Sequence, residues 1–158
     1  MRFITLLFLS LLSLTAAEPK PCPFCEIVAG RLPAAVVYRD DKVMAFMDHA
    51  PRNPGHVLVI PLVHAENFLA VPADTMHAMT DAAHRIAEAL KRTDLKCEGF
   101  NLLMNTGKAA DQTVFHAHLH IITRYVGEPP EKRPADKVPL SELESVAAKI
   151  RARLAGSN

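Results

Sequence analysis

Three histidines alternate with apolar residues in His116-Ala117-His118-Leu119-His120-Ile121-Ile122, and the segment runs on from Val114-Phe115 into Thr123-Arg124. Alternation with a period of two reads as a strand with unlike faces. Over Val114–Arg124 such a strand turns Ala117, Leu119 and Ile121 into a core and lines its other face with all three imidazoles. Neighbouring histidines then lie ~6.6 Å apart, from a rise of ~3.3 Å per residue. Each imidazole can donate, accept or carry a proton near neutral pH, so three in register point to chemistry more than to scaffolding.

Two chemistries use such a row. Imidazoles can share a metal ion, or one can attack phosphorus while its neighbours orient it and handle the leaving group. Spacing alone does not choose. The flanks favour phosphate: Asn105-Thr106-Gly107-Lys108 and Gln112-Thr113 offer amides, hydroxyls and backbone N–H groups, with Asp111 the lone carboxylate among them.

The remaining strand signals are Ala35–Tyr38 and Lys42–Phe46 around the turn Arg39-Asp40-Asp41, then His56–Pro61 and Phe100–Met104. Phe24–Ala29 reads as a short helix before Gly30 and Pro33. Met76, Met79, Ala83, Ile86 and Leu90 recur at three- and four-residue steps, which predicts an amphipathic helix over 73–92. Its opposite face carries His77, Asp81, His84 and Glu88, a polar face by default and a metal cluster as the sharper alternative. Residues 127–139 are rich in proline and charge, which suggests an extended connector. Ser141-Glu142-Leu143-Glu144 then reads as a capping box opening a helix to Leu154. Its stripe of Leu143, Val146, Ala147, Ile150 and Leu154 needs a place to bury, on its own domain or on a second subunit. Five antiparallel strands with one long helix and shorter ones make an α+β domain.

The triplet, with Gly99-Phe100-Asn101-Leu102-Leu103-Met104-Asn105 and Gln112-Thr113-Val114 before it, resembles the histidine triad family of nucleotide-binding hydrolases and transferases. Cys22-Pro23-Phe24-Cys25-Glu26-Ile27-Val28-Ala29-Gly30, Val37-Tyr38-Arg39-Asp40-Asp41 and Asn53-Pro54-Gly55-His56-Val57-Leu58-Val59-Ile60-Pro61, with His64, resemble its bacterial branch, so the likeness spans residues 22–125. It implies a hydrolase acting at the α-phosphate of nucleoside phosphoramidates, dinucleoside polyphosphates or related conjugates through a nucleotidyl-histidine. His118 would be the nucleophile, His116 would orient it through its carbonyl, His120 would meet phosphate oxygens, and His56 would complete the network. Asn105, Gln112 and Thr113 match positions that bond the phosphate or leaving group. Asp48 matches the ribose-binding carboxylate, and Phe24, Ile27 and Leu58 match the walls around the base. Catalysis in the family needs no cofactor; Cys22, Cys25, His64 and His116 match a structural zinc set. The family pairs its domains into one continuous ten-stranded sheet, which implies a homodimer. A non-catalytic nucleotide- or zinc-binding protein of the same fold is the alternative. Two positions depart from the pattern: Asp111 stands for a usual glycine, where a carboxylate opposes phosphate, and Thr123 for a usual proline. His49, beside the ribose position, replaces an aliphatic.

With 158 residues the chain suits one domain. A net charge of +1 and no basic run with interleaved aromatics leave nucleic-acid binding without electrostatic support. Met1-Arg2, an apolar run to Leu14 and Thr15-Ala16-Ala17 before Glu18 describe a signal peptide over 1–17. The expected organisation is therefore this signal, a triad-like domain over 18–125, and the connector and helix over 126–158. Export to a periplasmic or secreted location follows, with no stable membrane anchor after cleavage, the apolar run being shorter than the ~18 residues of a spanning helix. An oxidising compartment also opens a Cys22–Cys25 disulfide. A redox role for this C-x-x-C, like the turn of glutaredoxin-type proteins, lacks the strand that should precede it. Cys97 reads as a small, partly buried residue.

Overall fold

The computed structural model describes residues 21–129 and 136–156; the expected signal segment lies outside them. Chain order is α1 (Pro23–Val28), β1 (Val36–Arg39), β2 (Val43–Met47), β3 (Val57–Pro61), α2 (Ala73–Lys91), β4 (Gly99–Leu103), β5 (Leu119–Arg124) and α3 (Leu140–Ala155), with 3-10 turns at Phe68–Ala70 and Lys108–Ala110. The strands form one antiparallel sheet in the order β1-β2-β3-β5-β4. The α+β expectation holds. Helix α2 begins at the expected residue and ends one before it, because its stripe of Met79, Ala83, Ile86 and Leu90 is fully buried. Its outer residues His77, Asp81, His84 and Glu88 are exposed, and they are absent from the groups of ligand atoms that converge among the described residues. They are a solvated face.

The side-chain alternation of the strands feeds two cores. Val43, Ala45 and Met47 of β2, Val57 and Val59 of β3, and Leu119 and Ile121 of β5 pack with α2 and with Leu143, Ala147 and Ile150 of α3. Met44, Phe46, Leu58 and Ile60 point the other way, onto Phe24 of α1. Both faces of β2 and β3 are therefore covered, and neither strand shows a solvent side. The stripe of α3 is buried on its own chain. It starts differently from expectation: Pro139 is the N-cap without a side-chain capping bond, and Ser141 lies inside the helix. The Val138 amide donates to the His49 carbonyl at 2.9 Å, which fixes the approach and lets the preset φ of Pro139 start the helix.

Candidate functional site

The strand bearing the triad starts later than the alternation predicts. β5 begins at Leu119, and His116 and His118 precede it in an irregular segment. Val59 pairs with Leu119, so continuing the register would set Ala117 opposite Pro61, which has no amide to donate. Instead the Ala117 amide donates to the Ala65 carbonyl at 2.6 Å. The alternation of faces survives: Leu119 and Ile121 are buried on the α2 side, Ala117 is fully buried, and the imidazoles of His116 and His118 gather under α1. Phe24 meets His116 and His118 edge-on, with centroids 5.8 and 5.3 Å away.

The position of each proton follows from its partners. The Nδ1–H of His118 donates to the His116 carbonyl at 2.6 Å, so Nε2 keeps its lone pair for the cavity that His118 lines. The Arg52 amide donates to Nδ1 of His56 at 3.2 Å, which leaves the His56 proton on Nε2. That proton is shared with Nδ1 of His120 at 2.9 Å, so His120 carries its own on Nε2. This last N–H is buried and has no partner among the described residues. A backbone amide thus sets a chain of tautomers that ends in one donor held in reserve beside His118, whose ring centroid lies 4.9 Å from that of His120. Burial pushes His120 down to about 3 and also lowers His56 and His118, so all three rings are neutral at neutral pH.

His118 and His120 open into a cavity of about 470 Å³ that Phe24, Ile27, Leu58, Asp48 and Thr113 also line. Apolar walls with a few convergent polar groups, at this size, describe a small-molecule site. Asp48 accepts from the Ala50 amide at 2.9 Å and stands 3.5 Å from Nδ1 of His56. Asn105 and Gln112 do not line this cavity. Gln112 is buried and spends its carboxamide on the loop: it accepts from the Gly107 amide at 2.7 Å and donates to the Glu66 and Val114 carbonyls at 2.7 and 3.1 Å. Asn105 donates to the Asp111 carbonyl at 3.5 Å. Asp111 itself is exposed and takes φ 58°, a left-handed position that aspartate tolerates and glycine adopts freely. Sequence reasoning missed Leu32, Lys137, Leu140 and Leu143, which also line the cavity, and left His49 undecided; it lines it too. No local pattern marks Lys137 or Leu140, because a contact between distant segments brings them there.

A second constellation lies behind the triad. Cys22 Sγ and Cys25 Sγ lie 3.5 and 3.6 Å from Nδ1 of His116, Cys25 Sγ lies 3.4 Å from Nδ1 of His64, and the two Nδ1 atoms are 3.3 Å apart. A tetrahedral zinc with Zn–S ~2.3 Å and Zn–N ~2.0–2.1 Å requires edges of roughly 3.5 Å for S···N and 3.3 Å for N···N. The four groups fit that ion. The far nitrogen of His116 agrees, since its Nε2–H donates to the Pro61 carbonyl at 3.0 Å and leaves Nδ1 unprotonated for a metal. Both cysteines are free thiols here.

A HIT domain model matches residues 29–127. Protein hit of Bacillus subtilis is 39% identical over 141 residues, 86% of this chain and 96% of that one. Adenylylsulfatase HINT3 of Arabidopsis thaliana is 37% identical over 103 residues, 65% of this chain and 52% of that one. A Zn-bound histidine triad family protein from Mycobacterium smegmatis superposes with a TM-score of 0.76 at 37% identity, covering 85% of this chain and 93% of the other. With more than half of its length matched, this chain belongs to the HIT domain family.

Proposed function

We propose that this protein is a nucleotide hydrolase that cleaves phosphoramidates, dinucleoside polyphosphates or related conjugates at the α-phosphate through a nucleotidyl-His118 intermediate. One observation carries the reading: His118 has its Nδ1–H locked at 2.6 Å on the His116 carbonyl, which leaves Nε2 its lone pair, and it lines a cavity that Asp48 and apolar walls also line. Asp48 accepts from the ribose hydroxyls, and Phe24, Ile27 and Leu58 take the base. Nε2 bonds to the α-phosphorus as the bond to the leaving group breaks, the leaving group taking the electron pair. The His120 Nε2–H donates to a phosphate oxygen and offsets the charge that builds there, while the leaving atom takes its proton from solvent. Water then attacks the phosphorus, the P–N bond breaks back to neutral His118, the water's proton passes to solvent, and a nucleoside monophosphate leaves. Thr113 lies at the phosphate end; Gln112 and Asn105 act on the phosphate mainly by shaping its loop.

Zinc on Cys22, Cys25, His64 and His116 has a structural part in this reading and supplies no step. A second copy joins at β4, which among the described residues pairs only with β5 and presents Leu102 55% exposed, an open edge of the kind that strand addition closes. The apolar run before Ala17 supports export, and among the described residues no helix is long and apolar enough to cross a membrane. Turnover of adenosine 5′-phosphoramidate and of a dinucleoside polyphosphate, with and without chelator, tests the activity. Release of AMP unaffected by brief chelation is expected; nucleotide binding without any turnover would leave only the binding protein.

A further inference from the structure

The Pro51-Arg52-Asn53-Pro54-Gly55 loop between β2 and β3 is tied by side-chain hydrogen bonds to β5 and to the turn that follows it. Asn53, 2% exposed, donates from Nδ2 to the Thr123 carbonyl at 2.7 Å and to Oε2 of Glu128 at 2.9 Å. Thr123, fully buried, donates from Oγ1 to the Pro54 carbonyl at 2.8 Å. A proline at this place, the usual residue, would have no hydroxyl to give. Val57 pairs with Ile121, so the same register sets Gly55 opposite Thr123. The fit there is close: Gly55 takes φ 91°, and a Cβ on it would stand 3.1 Å from the Thr123 methyl. Inside this clamp the His56 amide donates to the Asn53 carbonyl at 3.1 Å, closing the turn that brings the His56 ring against the Arg52 amide.

Nδ1 of His56 has two neighbours with opposite demands. The Arg52 amide, at 3.2 Å, needs a lone pair there, and the Asp48 carboxylate, at 3.5 Å, needs a proton there. A neutral imidazole satisfies one of them at a time. With the amide in place, His56 keeps its proton on Nε2 and donates it to Nδ1 of His120 at 2.9 Å, and His120 presents an N–H from its own Nε2. With the amide drawn back, the proton settles on Nδ1 of His56 against Asp48, the bond between the rings reverses, and His120 Nε2 is left with a bare lone pair. We infer that Asn53 and Thr123 are positioning residues of this relay, holding the loop so that the Arg52 amide outcompetes Asp48 and His120 offers a donor to the phosphate. The phosphate in this statement rests on the nucleotide reading; the direction of the relay does not. A reversed His120 sets a lone pair against anionic oxygens where charge builds, so reversal lowers kcat more than it raises KM.

Nitrogen-15 NMR of the full chain reads the relay directly, because protonated and bare ring nitrogens resonate far apart. Burial keeps both rings neutral near neutral pH, where the spectra are taken. In the wild type both protons should sit on Nε2. Thr123→Val nearly keeps the shape and withdraws the hydroxyl. It should move most of the population to Nδ1–H on both rings, and lower kcat for adenosine 5′-phosphoramidate by about tenfold with KM within about twofold. Thr123→Ser, which returns the hydroxyl, should restore both signals and kcat. Asn53→Ser withdraws the donors on the loop side and should shift the same signals by a second route. Asp48→Asn added to Thr123→Val removes the competing charge and should return both protons to Nε2. A wild-type relay with its protons on Nδ1 contradicts the inference. Unmoved ring signals in both Thr123→Val and Asn53→Ser also contradict it, since a lowered melting temperature or kcat would then come from the fold alone. A reversed relay with unchanged kcat removes the role in turnover and overturns it as well. If the signals move as expected while the wild type neither hydrolyses the phosphoramidate nor binds AMP, the nucleotide reading fails and the clamp stands as the setter of the relay.

Discussion

Two histidine clusters lie against each other in this molecule, and both meet the simplest test for a metal site. Cys22, Cys25, His64 and His116 bring their ligand atoms together, and so do Asp48, His56 and His120. They differ in where the lone pairs go. In the first, the far nitrogen of His116 is bonded to a carbonyl and the near one faces three ligand atoms. In the second, the Arg52 amide takes Nδ1 of His56, and the bond between the two rings takes Nδ1 of His120, so the nitrogens that could share an ion are already engaged. The same residue type is left free to take a metal in one place and holds a proton in the other. Second partners of the imidazoles, more than residue identity, divide the two roles. His116 belongs to both, with its ring in the metal cluster and its carbonyl under the nucleophile.

The largest effect should come from the proton side. His118→Ala should lower kcat by on the order of 10⁴-fold, as removal of a nucleophile does, while calorimetry shows AMP affinity changed little; wild-type turnover would break the assignment. On the metal side, purified protein should hold about one zinc per chain with Zn–S near ~2.3 Å by X-ray absorption. Cys25→Ser should cost several kcal/mol of stability in chelator-free buffer. Metal-free protein carrying a Cys22–Cys25 disulfide would reverse that half of the comparison. His56→Phe keeps a ring but removes the donor to His120, and kcat should fall by about 10- to 100-fold with zinc content unchanged. Loss of zinc in that variant would mean that the clusters are not separate.

Acid should act on the relay. His56 and His120 have folded pKa values below the usual 6.5, with burial as the main cause, so the unfolded chain binds protons that the folded chain refuses. Their contribution is neutral above about pH 6.5 and turns against folding as pH falls from there toward 4, by roughly 1 kcal/mol per pH unit for each group. Urea midpoints from pH 7 to 4.5 should follow that slope, and His120→Asn should flatten it. The smallest effect concerns Asp111. Its exposure and left-handed backbone replace the expectation of a brake on phosphate. Asp111→Gly should leave AMP affinity within about twofold and stability within ~1 kcal/mol. A tenfold gain in affinity would restore the charge argument.

Much of this was legible in the chain. The period-two and 3.6-residue patterns placed α2 and the strands, since burial of whole stripes leaves a periodic trace. The alternation also assigned the correct faces around His118 but overran the strand start, because pairing depends on Pro61, a partner more than fifty residues away. The capping box at Ser141 failed for a similar reason, as the tie between Val138 and His49 decides where α3 begins. Gln112 reads in sequence as a phosphate ligand, and its carboxamide bonds the Gly107, Glu66 and Val114 backbone, partners that no local pattern reveals. The tautomer chain from Arg52 could not be read at all, being a matter of angles between distant rings.

The central claim is that the lone pair of His118 Nε2 forms a bond to phosphorus. Rapid acid-free quench of the enzyme with adenosine 5′-phosphoramidate, followed by peptide mass spectrometry, tests it most directly. The account predicts one adenylyl group on the peptide containing His118, lost in His118→Ala and accumulated when the water step is slowed. AMP release at full rate with no adduct at any time, or an adduct on His116 or His120, would contradict it.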